Sequence, residues 1–498
     1  MVSRRFILKS AVAGAAALAF PLYRAGRLEA KPSVATFENT LPIPSLLEGR
    51  MENGQRIFDL SLQRGRHEFF TGVETPSAGI NGDYLGPVLR MRRGDRVRFN
   101  VTNNMSEDST LHWHGVHLPA KMDGGPHQVI KPGETWKPEF AIRQPASTQW
   151  YHSHMFHRTG VQVYYGLAGL FYIDDDESDA LGLPSDYGVD DIPLVLQDRA
   201  FNRDGSFSYL RSMPERMNGM RGDVMVVNGA PFPTHDVASR RMRLRLLNGS
   251  NARIYNLKFS DGRAMRQIAS DGGLLEKPVT LRSLRLSPGE RAEVIVEFSP
   301  GDAVVLQHEP LPQRRRRRGM MMGMMMMGGG DDQPFEIMRF TAKRPAKAKG
   351  DAPEHLVKVR SWNPAAAAKT RKMVLDMRMG PAMMSGNGFT INGKAMDIKR
   401  IDEKIRLGDV EIWEIRNDSP MPHPFHIHDI QFRILDRDGQ HPPLNERGLK
   451  DTVLVESGET VRVITQFEDY ADPKNPYMFH CHILEHEDGG MMGQFVVV

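Results

Sequence analysis

Arg93-Gly94-Asp95-Arg96-Val97-Arg98-Phe99-Asn100-Val101-Thr102-Asn103 decides the fold of this chain. A Gly-Asp pair opens the stretch, and apolar Val97, Phe99 and Val101 then alternate with polar residues. Alternation of that kind marks a β-strand with one face turned to a core. The phrase returns near the other end as Leu407-Gly408-Asp409-Val410-Glu411-Ile412-Trp413-Glu414-Ile415-Arg416-Asn417, which points to duplicated domains. Similar runs lie between and beyond them at 243–247, 292–298 and 461–464, punctuated by Pro132-Gly133, Pro288-Gly289 and Gly408-Asp409. The body therefore reads as all-β, built of sandwiches.

Each copy of the repeat leads within about 15 residues to a His-x-His pair. There are four such pairs: His112/His114, His152/His154, His426/His428 and His480/His482. On a strand both imidazoles of a pair project to the same face, so pairs can meet at one metal cluster. Two pairs lie in the first third, two near the C-terminus, and residues 176–345 supply none. A shared cluster would sit between the first and last domains, with the middle region bringing them together.

The last pair brackets Cys481, the only cysteine of the 498 residues, in His480-Cys481-His482-Ile483-Leu484-Glu485-His486, with Met491 beyond. Cys481 would face away from its two neighbours. A thiolate, imidazoles and one weak thioether form the ligand set of a blue-copper electron-transfer site. Cys481, His486 and Met491 need a further, distant histidine, and His423 in His423-Pro424-Phe425-His426-Ile427-His428 is placed to supply it. One short strand would then hold two metal sites joined through its backbone.

The N-terminus reads as an export signal, with Ser3-Arg4-Arg5-Phe6-Ile7-Leu8-Lys9, an apolar run from Ala11 to Phe20, and a small-residue cleavage site at Leu28-Glu29-Ala30. That run is shorter than the roughly 20 residues a bilayer span needs. The expectation is a twin-arginine signal over 1–30 and a periplasmic mature protein with no membrane span. Residues 1–30 carry a net charge of +4, equal to that of the whole chain, so the mature chain is near neutral. Overall charge gives no support to nucleic-acid binding. The remaining length suits about three domains of ~150 residues. Residues 314–330 are an Arg- and Met-rich low-complexity stretch, and residues 341–355 read as a linker.

Four segments together, His-Trp-His-Gly (112–115), Trp-Tyr-His-Ser-His (150–154), His-Pro-Phe-His-Ile-His (423–428) and His-Cys-His with His486 and Met491, resemble the three-domain bacterial multicopper oxidases. The resemblance is strongest to the periplasmic cuprous oxidases of copper efflux, and it extends to Asn228-Gly229-Ala230 and Ala269-Ser270-Asp271-Gly272-Gly273. It implies three cupredoxin-like Greek-key β-sandwich domains, at 31–175, 176–345 and, with the linker, 346–498. It implies four copper ions per chain: type 1 copper on His423, Cys481, His486 and Met491, type 2 on His112 and His426, and a type 3 pair on His114, His152, His154, His428, His480 and His482. The other eight of the eighteen histidines read as surface or structural.

Such an enzyme couples four one-electron oxidations to reduction of O2 to water, with Cys481 carrying electrons between the sites. Water formation needs protons, and the resemblance offers Asp123 and Glu487 as relays. The implied donor is Cu(I), with Fe(II) or phenols as the laccase-like alternative. Thirty methionines, concentrated at 320–327, 373–384 and around Met421, suit soft Cu(I). Met421, Asp376 and Met377 match substrate-copper positions, whereas the family's acidic residue four before the type 1 histidine is Ser419 here, beside Asp418. Non-enzymatic alternatives are copper storage, or a cell-division or export factor on the same fold. The expected assembly is a monomer, with the twin-arginine machinery as its export partner.

Overall fold

The computed structural model describes residues 35–310, 333–347, 353–378 and 388–498. The signal-like residues 1–30 and the Arg/Met-rich stretch 314–330 lie outside them, as does the second half, 379–384, of the methionine-rich 373–384. Among the described residues six sheets form, and they fall in chain order into three pairs.

The first pair sets a five-stranded sheet, which carries His112–His114 and Ser147–His152, against a sheet built on Gln55–Phe70 and Arg96–Asn103. Leu60, Val97 and Phe99 of one sheet meet Trp113, Tyr151 and Phe171 of the other in one apolar core. The second pair centres on Asp191–Arg199, Arg241–Asn248 and Arg291–Glu297, packed through Leu194, Leu246 and Val294 onto Leu257 and Phe340. The third sets Lys369–Met377, Val410–Asn417 and Thr460–Gln466 against His423–Ile427, Asp472–Cys481 and Met492–Val497, with Trp413 packed among Phe425, Phe479 and Phe495. Each pair is thus a β-sandwich whose inner faces interdigitate, the cupredoxin-like architecture.

Both halves of the sequence repeat form strands, Arg96–Asn103 and Val410–Asn417. Each pairs in parallel with an earlier strand of its sheet, Gln55–Phe70 and Lys369–Met377 respectively. Parallel neighbours require a crossing connection rather than a hairpin. That connectivity brings the two histidine strands of each outer sandwich side by side. His112 lies opposite His152, and His426 lies opposite His480. The stretch read as a linker begins inside the strand Phe335–Ala342, and Ala346 is still bridged to Ser239, so its first part belongs to the middle sandwich. No described helix is long and apolar enough to cross a membrane.

Candidate metal centre

The four His-x-His pairs converge where the first and third sandwiches meet. His112 stacks on His428 with ring centroids 3.9 Å apart, and His114 stacks on His426 at 3.7 Å. All eight imidazoles are buried. Their ring nitrogens fall into close groups: His112, His114 and His426; His114, His152 and His482; His154, His428 and His480. A fourth group holds His423, Cys481 and His486.

The proton positions show what these groups lack. His428 Nδ1 donates to Asp123 Oδ2 at 2.8 Å, and His480 Nδ1 donates to Cys481 O at 3.1 Å with Glu487 Oε2 at 3.2 Å. His154 Nδ1 faces Glu487 Oε1 at 3.2 Å. A neutral imidazole has one N–H, so Nε2 of His428 and of His480 carries only a lone pair, while His154 Nδ1 is buried without a hydrogen-bond partner. Yet His480 Nε2 lies 3.2 Å from His154 Nε2 and 3.1 Å from His428 Nε2. Two lone pairs aimed at each other, with a third ring nitrogen beside them, fit a cation between them. The Nε2 atoms of His112, His152 and His426 are buried without a partner, as are both nitrogens of His482. The donor set therefore fits metal ions.

Burial pushes the imidazoles of His114, His152, His154, His426, His428 and His482 well below their ordinary pKa. They are held in the neutral form that coordinates metal. Burial pushes Glu487 upward, but the His154 and His480 rings outweigh it and hold the carboxyl at about 2. Asp123 braces the cluster twice, through its side chain to His428 and through its carbonyl, which accepts from His112 Nδ1 at 2.9 Å.

The fourth group lies on the other face of the same strand. Cys481 Sγ is 3.3 Å from His423 Nδ1 and 3.8 Å from His486 Nδ1, and the two Nδ1 atoms are 3.3 Å apart. His486 Nε2 donates to Met217 O at 2.9 Å, and His423 Nε2 is 2.6 Å from Ser419 Oγ. Ser419, four residues before His423, thus touches a ring of this group. Cys481 N donates to Met491 O at 3.0 Å, and both residues lie in the same apolar cluster. Burial pushes the Cys481 thiol up and holds His486 down at about 3, so metal binding here would release the thiol proton.

The three substrate-copper positions differ in setting. Met421 and Met377 are buried in the apolar cluster that holds Met491, and Met377 pairs with Phe389, which stacks on His486 at 4.3 Å. Asp376 precedes Met377 on the same strand and so faces the opposite way. It is partly exposed and lies 3.6 Å from Arg378.

The structure also brings in residues that sequence reading missed. Asp451 Oδ1 is 3.0 Å from His114 Nε2, and Arg291 of the middle sandwich grips both oxygens of Asp451 at 2.8 and 2.6 Å. Gly289, at φ 83°, abuts His482, where a Cβ would sit 2.9 Å from the ring. No local pattern marks these positions, although Pro288-Gly289 was legible as a turn.

Family models described as multicopper oxidase match residues 61–178, 174–305 and 367–498. The multicopper oxidase mco of Staphylococcus aureus is 36% identical over 92% of this chain and 93% of its own length. The cell division protein FtsP of Salmonella typhimurium is 35% identical over 95% of this chain and 96% of its own length. The solved structure of a laccase-like multi-copper oxidase CueO from Ochrobactrum sp. superposes with a TM-score of 0.83 at 41% identity, over 92% of this chain and all of that one. Three family matches, full-length relatives and a donor set made for metal together place this chain in the multicopper oxidase family, as an oxidoreductase that works with copper.

Proposed function

We propose that the chain holds four copper ions and uses them to couple one-electron oxidation of Cu(I) to reduction of O2. The observation that carries the copper reading is the set of buried imidazole nitrogens that face one another or have no partner. His423, Cys481, His486 and Met491 would hold type 1 copper, His112 and His426 type 2, and His114, His152, His154, His428, His480 and His482 the type 3 pair. Bound there, copper would supply one-electron chemistry, so that four electrons taken singly from a donor reach O2 together. Cys481 links the two sites covalently through its peptide bonds to His480 and His482.

Making water consumes protons inside a site closed to solvent. Glu487 and Asp123 are the carboxylates placed to hand them in, Glu487 against the Nδ1 atoms of His154 and His480 and Asp123 against that of His428. Met377 and Met421, packed in the apolar cluster with Met491, are the soft atoms on the donor side. Asp376, turned to solvent on the neighbouring position, would meet Cu(I) before they do. The domain limits 31–175, 176–345 and 346–498, a twin-arginine signal over 1–30, a periplasmic location and a monomeric state complete the reading.

Steady-state O2 uptake by the copper-loaded chain with Cu(I), Fe(II) and a phenol tests the donor. The expected order places Cu(I) first in kcat/KM, and deletion of residues 314–330 should lower that value while sparing the phenol. A laccase-like activity is the second reading, favoured by the 41% identity to an enzyme described as acting on lignin model compounds. Faster turnover of the phenol would establish it. The FtsP relatives suggest a cell-division role, which full-length protein that takes up no copper would support.

A further inference from the structure

The cluster imidazoles do not all face inward by the same atom. His112, His152 and His426 each anchor Nδ1 on a backbone carbonyl and leave Nε2 without a partner. His114 is reversed. Its Nε2 meets Asp451 Oδ1 at 3.0 Å and Thr452 Oγ1 at 3.3 Å, and its Nδ1 is left without a partner. We propose that Asp451, clamped by Arg291, is a positioning residue that fixes the His114 proton on Nε2 and so presents the Nδ1 lone pair to the copper shared with His152 and His482. This rests on the copper reading given above.

The chemistry is directional. An ionised carboxylate only accepts, and a neutral imidazole has a single N–H to give. Contact with Asp451 therefore assigns the proton to Nε2 and frees Nδ1, the arrangement by which a hydrogen-bonded partner sets the coordinating atom of a histidine. Asp451 is completely buried, where a lone carboxylate would be costly to keep charged. Arg291 meets that need with a two-pronged pairing, Nη1 on Oδ1 and Nη2 on Oδ2.

The guanidinium is itself held from several sides. Its Nε donates to Thr148 O at 3.2 Å, its Nη1 to Gly289 O at 3.0 Å and its Nη2 to Asp271 O at 3.1 Å, and Gln149 Oε1 also accepts from Nη2. Thr148 and Gln149 belong to the first sandwich, Gly289 and Asp271 to the second, and Asp451 to the third. Gly115, directly after His114, closes the cradle. At φ 82° its Cβ would fall 2.5 Å from Asp451 Oδ2 and 2.1 Å from Gln149 Oε1, so no side chain fits. The middle sandwich supplies no histidine to the cluster, yet it determines which nitrogen one of them offers.

The test uses the full chain, with Asp451→Asn and Arg291→Lys each loaded with copper beside the parent. The expected result is an unchanged blue absorption from the Cys481 site, with affinity for the remaining copper lowered 10–100-fold and the copper count per chain reduced. Arg291→Lys keeps the charge but loses the fork, and should show the same pattern more weakly. In copper-free chain labelled with 15N-histidine, the His114 Nε2–H resonance, identified by its absence in His114→Asn, should vanish in Asp451→Asn. Variants that keep the parent's copper count, affinity and Nε2–H resonance would overturn the proposal. So would loss of the blue absorption in step with the cluster copper, which would mean general collapse. A parent that binds no copper at the histidine cluster would refute the copper reading itself.

Discussion

The copper-free chain should come apart in mild acid. Burial holds the imidazoles of His114, His152, His154, His423, His426, His428 and His482 well below the ordinary value of 6.5, and that of His486 at about 3. Unfolded, the same eight side chains take up protons near 6.5. Between that value and the folded pKa the unfolded chain binds more protons, so stability is lost as pH falls through 6.5 and goes on falling toward pH 3. At one pH unit below the unfolded value each such histidine costs the folded state about 1.4 kcal/mol. Eight together cost about 11 kcal/mol, comparable with the whole stability of a typical protein, ~5–15 kcal/mol. Asp271, Asp429, Glu485 and Asp488 act the other way, because burial raises their pKa above the ordinary carboxylate value and acid then favours the folded form. Four groups do not offset eight. Tryptophan fluorescence and near-ultraviolet circular dichroism of the copper-free chain should therefore show cooperative unfolding between about pH 6 and 5. Ligated nitrogens cannot take protons, so copper should move the transition to lower pH. A copper-free chain that stays folded at about pH 4.5 would refute the reasoning, since eight rings held that far below 6.5 would by then cost more than the whole stability of a typical fold.

Cys481→Ser should abolish the blue absorption and the oxidase activity together, and retained O2 uptake would show that electrons do not pass through the sulfur. Glu487→Gln should leave the absorption and copper content intact while slowing O2 uptake by ~10²–10⁴-fold, the usual contribution of a positioned proton donor; unchanged turnover would remove Glu487 from the relay. Gly124→Ala should lower thermal stability by ~2 kcal/mol or more. Gly124 sits at φ 76°, its Cβ would land 1.8 Å from Leu111 O, and the backbone there carries His112, so a melting curve like the parent's would mean the turn can yield.

What the sequence disclosed, and what it hid, follows from how each feature is encoded. Alternation is local, and a strand turns it into geometry without outside help. His112 with His114 and His480 with His482 could be read as same-face pairs because period two leaves them nowhere else to point. The meeting of those pairs needed only the pairing partners, His152 opposite His112 and His426 opposite His480, which the structure supplies. Asp376 and Met377 show the same rule at work. Adjacent strand positions face opposite ways, which puts Met377 in the apolar cluster and leaves Asp376 partly exposed beside Arg378. Arg291 and Asp451 lie beyond any local rule. Each is an ordinary charged residue at the end of an alternating run, and 160 positions separate them. Only the packing of three sandwiches makes them a buried pair, and the pair has meaning only because His114 ends beside it. The middle region, legible as a scaffold because it lacks a His-x-His pair, thus owes its chemical part to long-range contacts. A single strand can announce its ligands, but the atoms that hold those ligands in the correct tautomer come from elsewhere in the chain.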